Sequence, residues 1–179
     1  MKKVEQNFNF INMEHDVMKF WEDEKCFQAL LEKNKDGKKF RFLDGPITAN
    51  NPMGIHHAWG RTLKDIYIRY KGMNGYTSHY RNGFDGQGLW IEVEVEKELG
   101  FNDKKDIEKY GLENFTKKCL ARVDHFSKII TEQSKRLGQW MDWDNSYYTN
   151  TEENITAIWH FLKKCDELGM IERSFRPMP

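Results

Sequence analysis

The chain has 179 residues, room for one domain with a sizeable core, and its 28 basic residues balance 28 acidic ones. No global field therefore draws in a polyanion, and any nucleic-acid contact has to come from a local patch. Apolar residues make up 39% without forming a run long enough to cross a bilayer or a basic-then-apolar leader, which argues against a membrane-spanning class and makes the cytoplasm the expected location.

Residues 1–38 read as an N-terminal helical extension. Asn12 is placed to cap a helix carrying Met13, Val17, Phe20 and Trp21 on one face, and Asp36-Gly37 turns the chain toward an apolar strand over Phe40–Leu43. The first of three cysteines, Cys26, stands far from Cys119 and Cys165. Odd in number and widely spaced, they read as small buried hydrophobes, and neither a disulfide framework nor a zinc site is expected.

Residues 39–179 form the main domain. Its first strand closes on Asp44-Gly45-Pro46, and a turn through Asn50, Asn51 and Pro52 opens a helix at Gly54-Ile55-His56-His57. A helix N-terminus presents unpaired backbone N–H groups and a partial positive charge, so imidazoles in its first turn stand where phosphate oxygens would sit. The competing reading is a surface turn with incidental histidines, and the residues downstream decide against it. Leu63, Ile66, Tyr67 and Tyr70 recur at helical spacing with Arg61, Lys64, Asp65 and Arg69 between them, and Asn74-Gly75 supplies a left-handed stop before a short strand, Tyr76–Tyr80. Strand, Gly/Pro loop, helix and strand within about forty residues make a βαβ unit with parallel strands, whose ligands lie at the carboxyl ends of those strands.

Farther along, Glu92, Glu94, Glu96, Lys97 and Glu98 alternate with apolar residues from Ile91 to Val95, as in a half-exposed strand or the start of a helix with solvated glutamates. Leu112, Phe115, Cys119, Val123, Phe126, Ile130 and Leu137 fall on one stripe of a long helix ended by Gly138. Trp140-Met141-Asp142-Trp143-Asp144 reads as an aromatic corner that plugs the core, in preference to a base-stacking platform. A last helix follows Asn150-Thr151-Glu152-Glu153, where Asn150 can cap and Glu153 reach back, and is expected to bury Ile155, Ile158, Phe161, Leu162 and Cys165 before Gly169.

Three blocks of this pattern resemble the start of a class I aminoacyl-tRNA synthetase, most nearly the isoleucyl-tRNA synthetases. They are Asp44-Gly45-Pro46 through Gly54-Ile55-His56-His57, Arg69-Tyr70-Lys71-Gly72-Met73-Asn74-Gly75-Tyr76, and Gly83-Phe84-Asp85-Gly86-Gln87-Gly88-Leu89. The likeness continues through Glu92–Gly100 to Arg176-Pro177-Met178-Pro179. Two departures stand out. The signature usually spelled His-Ile-Gly-His appears as Gly54-Ile55-His56-His57, its first histidine and its glycine exchanged, and the usual Trp-Asp-x-His-Gly-Leu-Pro appears as Phe84-Asp85-Gly86-Gln87-Gly88-Leu89-Trp90.

The resemblance implies a Rossmann-like nucleotide-binding α/β fold, of which these residues would be the first half, ending near the family's editing insertion and lacking its Lys-Met-Ser-Lys-Ser loop and anticodon-binding region. It implies activation of isoleucine by ATP, with Mg²⁺ accompanying the nucleotide, and transfer to tRNA(Ile) in the full-length protein, without DNA or membrane partners. Asn50, Gly54, His56 and His57 would bind ATP, the two histidines acting in catalysis. Gly45, Pro46, Asp85 and Gln87 would bind the amino acid, Asp85 holding its ammonium group. Two other readings are a non-enzymatic nucleotide- or partner-binding module descended from a synthetase and a small stand-alone adenylyltransferase; the latter would normally complete its sheet within one short chain.

Overall fold

A computed structural model describes residues 8–42 and 44–175. In chain order the elements are α1 (Phe10–Asp23), α2 (Cys26–Lys33), β1 (Ile47–Thr48), α3 (Ile55–Met73), β2 (Arg81–Asp85), α4 (Leu89–Leu99), α5 (Lys105–Tyr110), α6 (Leu112–Arg136), β3 (Asp142–Tyr148) and α7 (Glu152–Glu167). The three strands form one parallel sheet in the order β1-β2-β3, with Thr48 opposite Asp85 and Phe84 opposite Tyr148. All three carboxyl ends therefore lie on one edge of the sheet.

The parallel βαβ unit is present, but its strands lie downstream of the expected positions. The Phe40–Leu43 and Tyr76–Tyr80 segments contribute only an isolated parallel bridge, Lys39 to Thr77, in which the Phe40 N–H donates to the Thr77 carbonyl at 2.9 Å; Leu43 itself lies outside the described residues. The ladder runs instead through Ile47–Thr48 and Arg81-Asn82-Gly83-Phe84-Asp85. Intrinsic strand preference points away from an Asn-Gly-Phe-Asp run, but position at the centre of a sheet overrides it. The reason is local: Gly83 has no Cβ, and one added there would come within 2.2 Å of the Tyr147 ring on β3. Only glycine lets that ring lie across the central strand.

The Trp140–Asp144 corner also needs correction. Asp142–Tyr148 is the third strand, and Trp140, just before it, does the plugging: its ring meets Trp21 of α1 edge-on at 5.2 Å, and the Arg69 guanidinium lies 4.4 Å above it. The expected helices form, with shifted caps. Asn9 rather than Asn12 caps α1, Thr151 rather than Asn150 caps α7, and the ambiguous glutamate segment is helix α4, burying Ile91 and Val95 one turn apart. Gly75 and Gly138 stop α3 and α6 with φ of 78° each. All three cysteines are free and half-buried, less enclosed than the sequence suggests.

The core has two parts. Ala49, Phe84, Ile91, Val123 and Ile130 bring β2, α4 and α6 together, while Ile68, Tyr80 and Met141 pack with Phe40, Phe42 and Trp143 on the other side. α3 buries an unexpected face. Its apolar stripe of Leu63, Ile66, Tyr67 and Tyr70 is exposed, and the side turned inward carries Arg61, Asp65, Ile68 and Gly72. Arg61 is 3% exposed and reaches Asn82 Oδ1 through both terminal nitrogens, at 3.2 and 3.3 Å. Asp65 accepts from Arg69 Nε at 2.6 Å. α7 is likewise unlike its expectation: it buries none of its residues, and Ile155, Ile158, Phe161 and Leu162 are all exposed. Helical periodicity identifies which face wants cover, and no described element provides it here.

Candidate active site

The turn from Ala49 to Gly54 leaves β1 at the carboxyl edge of the sheet and feeds directly into α3. Gly54 is the N-cap, with extended backbone, and Ile55, His56 and His57 occupy the first helical turn. The Gly54 N–H donates to His57 Nδ1 at 3.2 Å, which leaves the proton of the neutral imidazole on Nε2, directed away from the cap as a donor. Burial pushes the His57 pKa below the usual imidazole range, and the nearby His56 and Arg61 add to the effect, so the neutral tautomer is favoured. The two imidazoles lie 3.9 Å apart between centroids at 44°.

Gly54 matters to this pair. A Cβ on residue 54 would sit 2.9 Å from His56 Cε1 and 3.0 Å from its Nδ1, so the His56 ring folds back into the space that a side chain at 54 would take. The exchanged glycine and histidine of the signature are thus sterically linked.

Asp85, the last residue of β2, stands on the same edge. Its Oδ2 accepts from Thr48 Oγ1 at 3.1 Å, and its Oδ1 accepts from Thr149 Oγ1 at 3.2 Å and from the Gln87 N–H at 3.0 Å. Hydroxyls from both flanking strand ends thereby aim the carboxylate. Thr149 Oγ1 also accepts from the Gly86 N–H at 2.9 Å. Beside it the Asn150 Oδ1 is buried without a partner, against the face of Gly86 where a Cβ would come within 2.2 Å. Such a carboxylate is suited to an ammonium group, and a helix N-terminus with an outward imidazole N–H to phosphate oxygens.

The structure thus brings Asn50, Gly54, His56, His57, Asp85 and Gln87 to one edge. Asn50 lies in the turn, its carbonyl accepting from Arg122 Nε at 2.8 Å. The Gln87 side chain is exposed and only its backbone touches Asp85. Gly45, exposed, and Pro46 lead into β1 from its opposite end, just past Asp44, which Lys64 and Tyr80 hold through its carboxylate. The contributions of Thr149 and Arg122 were not apparent from sequence: each lies more than sixty residues from its partner, in a segment whose local pattern signals only a cap or a helix face. Among the described residues no group of three or more His, Cys, Asp or Glu could hold a metal ion, and no helix is long and apolar enough to cross a membrane.

Comparison with known proteins fits this geometry. Residues 16–179 match the family described as tRNA synthetases class I (I, L, M and V). The chain is 40% identical to the isoleucine–tRNA ligase of Dehalococcoides mccartyi over 99% of its own length and 18% of that protein's. It is 44% identical to the isoleucine–tRNA ligase of Pyrococcus abyssi over 92% of its length and 16% of the relative's. It spans, then, less than a fifth of the relatives it matches. Among solved structures, the LeuRS of Agrobacterium radiobacter in a ternary complex with tRNA and LeuAMS superposes with a TM-score of 0.67 at 16% identity, over 90% of this chain and 18% of that one; at such identity the likeness speaks for the fold. A parallel sheet with a glycine-capped, histidine-bearing helix at its carboxyl edge, a match over nearly the whole chain and this shared fold all converge: the chain belongs to the class I tRNA synthetases and carries the Rossmann-like N-terminal part of their catalytic fold.

Proposed function

We propose that residues 39–179 supply the ATP-facing and amino-acid-facing half of an isoleucine-activating site, with residues 1–38 as an accessory extension. In the reaction an isoleucine carboxylate oxygen attacks the α-phosphorus of ATP in line; the new O–P bond forms as the bond to the bridging oxygen breaks, and pyrophosphate departs with its electron pair. Such a displacement asks for positioning and for charge stabilisation, not for covalent help. His57 donates from Nε2 to phosphate oxygens, His56 and the Asn50 side chain add donors, and Gly54 leaves room for the imidazole pair. Asp85 holds the ammonium group and Gln87 borders the amino-acid side, while Gly45 and Pro46, which enter β1 from its opposite end, take no part at this edge. Mg²⁺ arrives with the nucleotide as its counter-charge. Transfer to tRNA(Ile) belongs to the full-length protein.

The single observation that carries this reading is the shared edge: an outward-donating imidazole at a helix N-terminus and a three-fold hydrogen-bonded carboxylate, at the ends of adjacent parallel strands. In a full-length synthetase carrying this segment, Asp85→Ala should abolish isoleucine activation, because it strands an ammonium without its counter-charge. His57→Ala should slow adenylate formation about 100- to 1000-fold with isoleucine affinity intact, since it removes a donor that strengthens as charge shifts onto pyrophosphate. Stopped-flow adenylate formation separates these outcomes, and an unchanged rate in His57→Ala would overturn the reading.

A further inference from the structure

The turn that carries Asn50 has little regular structure of its own, yet it must hold the first turn of α3 at a constant distance from Asp85. Its hydrogen bonds go instead to α6, a 25-residue helix anchored in the core by Phe115, Val123 and Ile130. Arg122, whose side chain is 13% exposed, spends each of its nitrogens on a different acceptor. Nε donates to the Asn50 carbonyl at 2.8 Å, Nη2 to Asn51 Oδ1 at 2.9 Å, and Nη1 to Glu98 Oε2 on α4 at 3.1 Å. The guanidinium plane rests on the Phe126 ring at 4.7 Å. About three turns farther along the same helix, Gln133 Oε1 accepts from the Met53 N–H at 2.7 Å. The turn is therefore gripped at both ends, at Asn50-Asn51 and at Met53, with Pro52 between the grips and Gly54 immediately beyond.

We propose that Arg122 is a positioning residue for the nucleotide side of the site, acting through Asn50 and Asn51 to set where α3 begins; this rests on the function proposed above. Its charge is already occupied. Glu98 is bonded to it and Glu94 lies 3.7 Å away, so the guanidinium is engaged with carboxylates and is not offered to phosphate. What it contributes is shape: a rigid planar fork satisfies a backbone carbonyl and a side-chain amide at once, which a lysine ammonium on a flexible stem does not reproduce. A displacement of about 1 Å in a group that positions a reacting centre is enough to cost orders of magnitude in rate.

MgATP titration of this chain, followed by the imidazole resonances of His56 and His57, tests the assignment together with amide exchange in the turn and the thermal midpoint. Arg122→Gln should weaken MgATP binding at least about tenfold and speed exchange at Asn51, Met53 and Gly54, the equivalent of losing charge-assisted hydrogen bonds. Arg122→Lys should fall between that variant and the native chain. Asn51→Ala, which leaves α6 intact, should reproduce the loss in smaller measure with the thermal midpoint unchanged. MgATP affinity at the native level in both Arg122→Gln and Asn51→Ala overturns the proposal. So does a loss confined to Arg122→Gln and matched by a fall in its thermal midpoint, since that describes a structural residue. A native chain that fails to shift its imidazole resonances with MgATP overturns the parent function, a distinct outcome from either.

Discussion

At the scale of single residues, the geometry around His57 converts a motif into a protonation state. Nδ1 is used by the Gly54 N–H, and burial with the neighbouring His56 and Arg61 holds the pKa below the free-imidazole value of about 6.5. A group whose folded pKa is depressed binds fewer protons in the fold than in the unfolded chain near that value. His57 therefore contributes stability that is fully present above the unfolded pKa and is lost as pH falls from there through the lower folded pKa, and protonating Nδ1 also breaks the Gly54 bond. NMR titration of His57 should give a midpoint below that of a free histidine, with the Nε2–H tautomer dominant at neutral pH; a midpoint at or above the free value would refute this. Much at this scale was legible in sequence. His57 stood out as an imidazole in the first turn of a helix opened by a Gly/Pro loop, and Asp85 through the resemblance of Gly83–Leu89 to a synthetase block. Their supporting groups were not: Thr48 and Thr149 reach Asp85, and Arg122 reaches the turn before His57, across strand and helix boundaries, and hydrogen bonds between distant segments leave no periodic trace.

At the scale of elements, the helices were readable and the strands were not. Amphipathic spacing and glycine stops mark α3, α6 and α7 within a few residues, because helical hydrogen bonds are local. The sheet instead is built from a two-residue strand, Ile47–Thr48, and from Arg81–Asp85 and Asp142–Tyr148, which are rich in Asn and Asp and whose pairing depends on neighbours such as Tyr147 over Gly83. The polar inner face of α3 was hidden for a related reason: Arg61 and Asp65 become interior only because Asn82, Gln139 and Arg69 receive them. Asn34 shows how tightly such polar contacts tie elements together. From the end of α2 its Nδ2 donates to the Gly72 carbonyl at 2.7 Å and to the Tyr76 carbonyl at 3.2 Å, in an environment that leaves it 6% exposed. Asn34→Ala strands both carbonyls and should cost about 1–3 kcal/mol, seen as a lower urea midpoint with an unchanged m-value; no change would mean that the accessory helices are docked by packing alone.

At the scale of the whole molecule, the exposed stripe of α3 is the dominant feature. Ile55, Trp59, Leu63, Ile66, Tyr70 and Met73 follow one another every three or four residues along the outside, and Ile55 is 90% exposed. α7 adds Ile158, Trp159, Phe161 and Leu162. Contiguous apolar faces of this length are uncommon on the surface of a soluble monomer. The isolated chain should consequently self-associate in a concentration-dependent way by sedimentation velocity; as half of the site proposed above, it should bind MgATP only weakly and charge tRNA at no measurable rate. Isoleucine-dependent pyrophosphate exchange at the level of a full-length synthetase would contradict that expectation. The same stripes account for the exposure of α7: a sequence pattern marks a face as apolar, but where its cover comes from is a tertiary property.

The fit of His56 over Gly54 also constrains how one spelling of this signature could turn into the other by successive substitutions. Losing His56 first would leave a stretch with a single imidazole, whereas placing a side chain at 54 first requires only that the His56 ring, the free end of a flexible side chain, swing aside. Any interconversion by successive substitutions that keeps two imidazoles throughout therefore passes through a form with three histidines, in which the His56 ring has swung clear of residue 54.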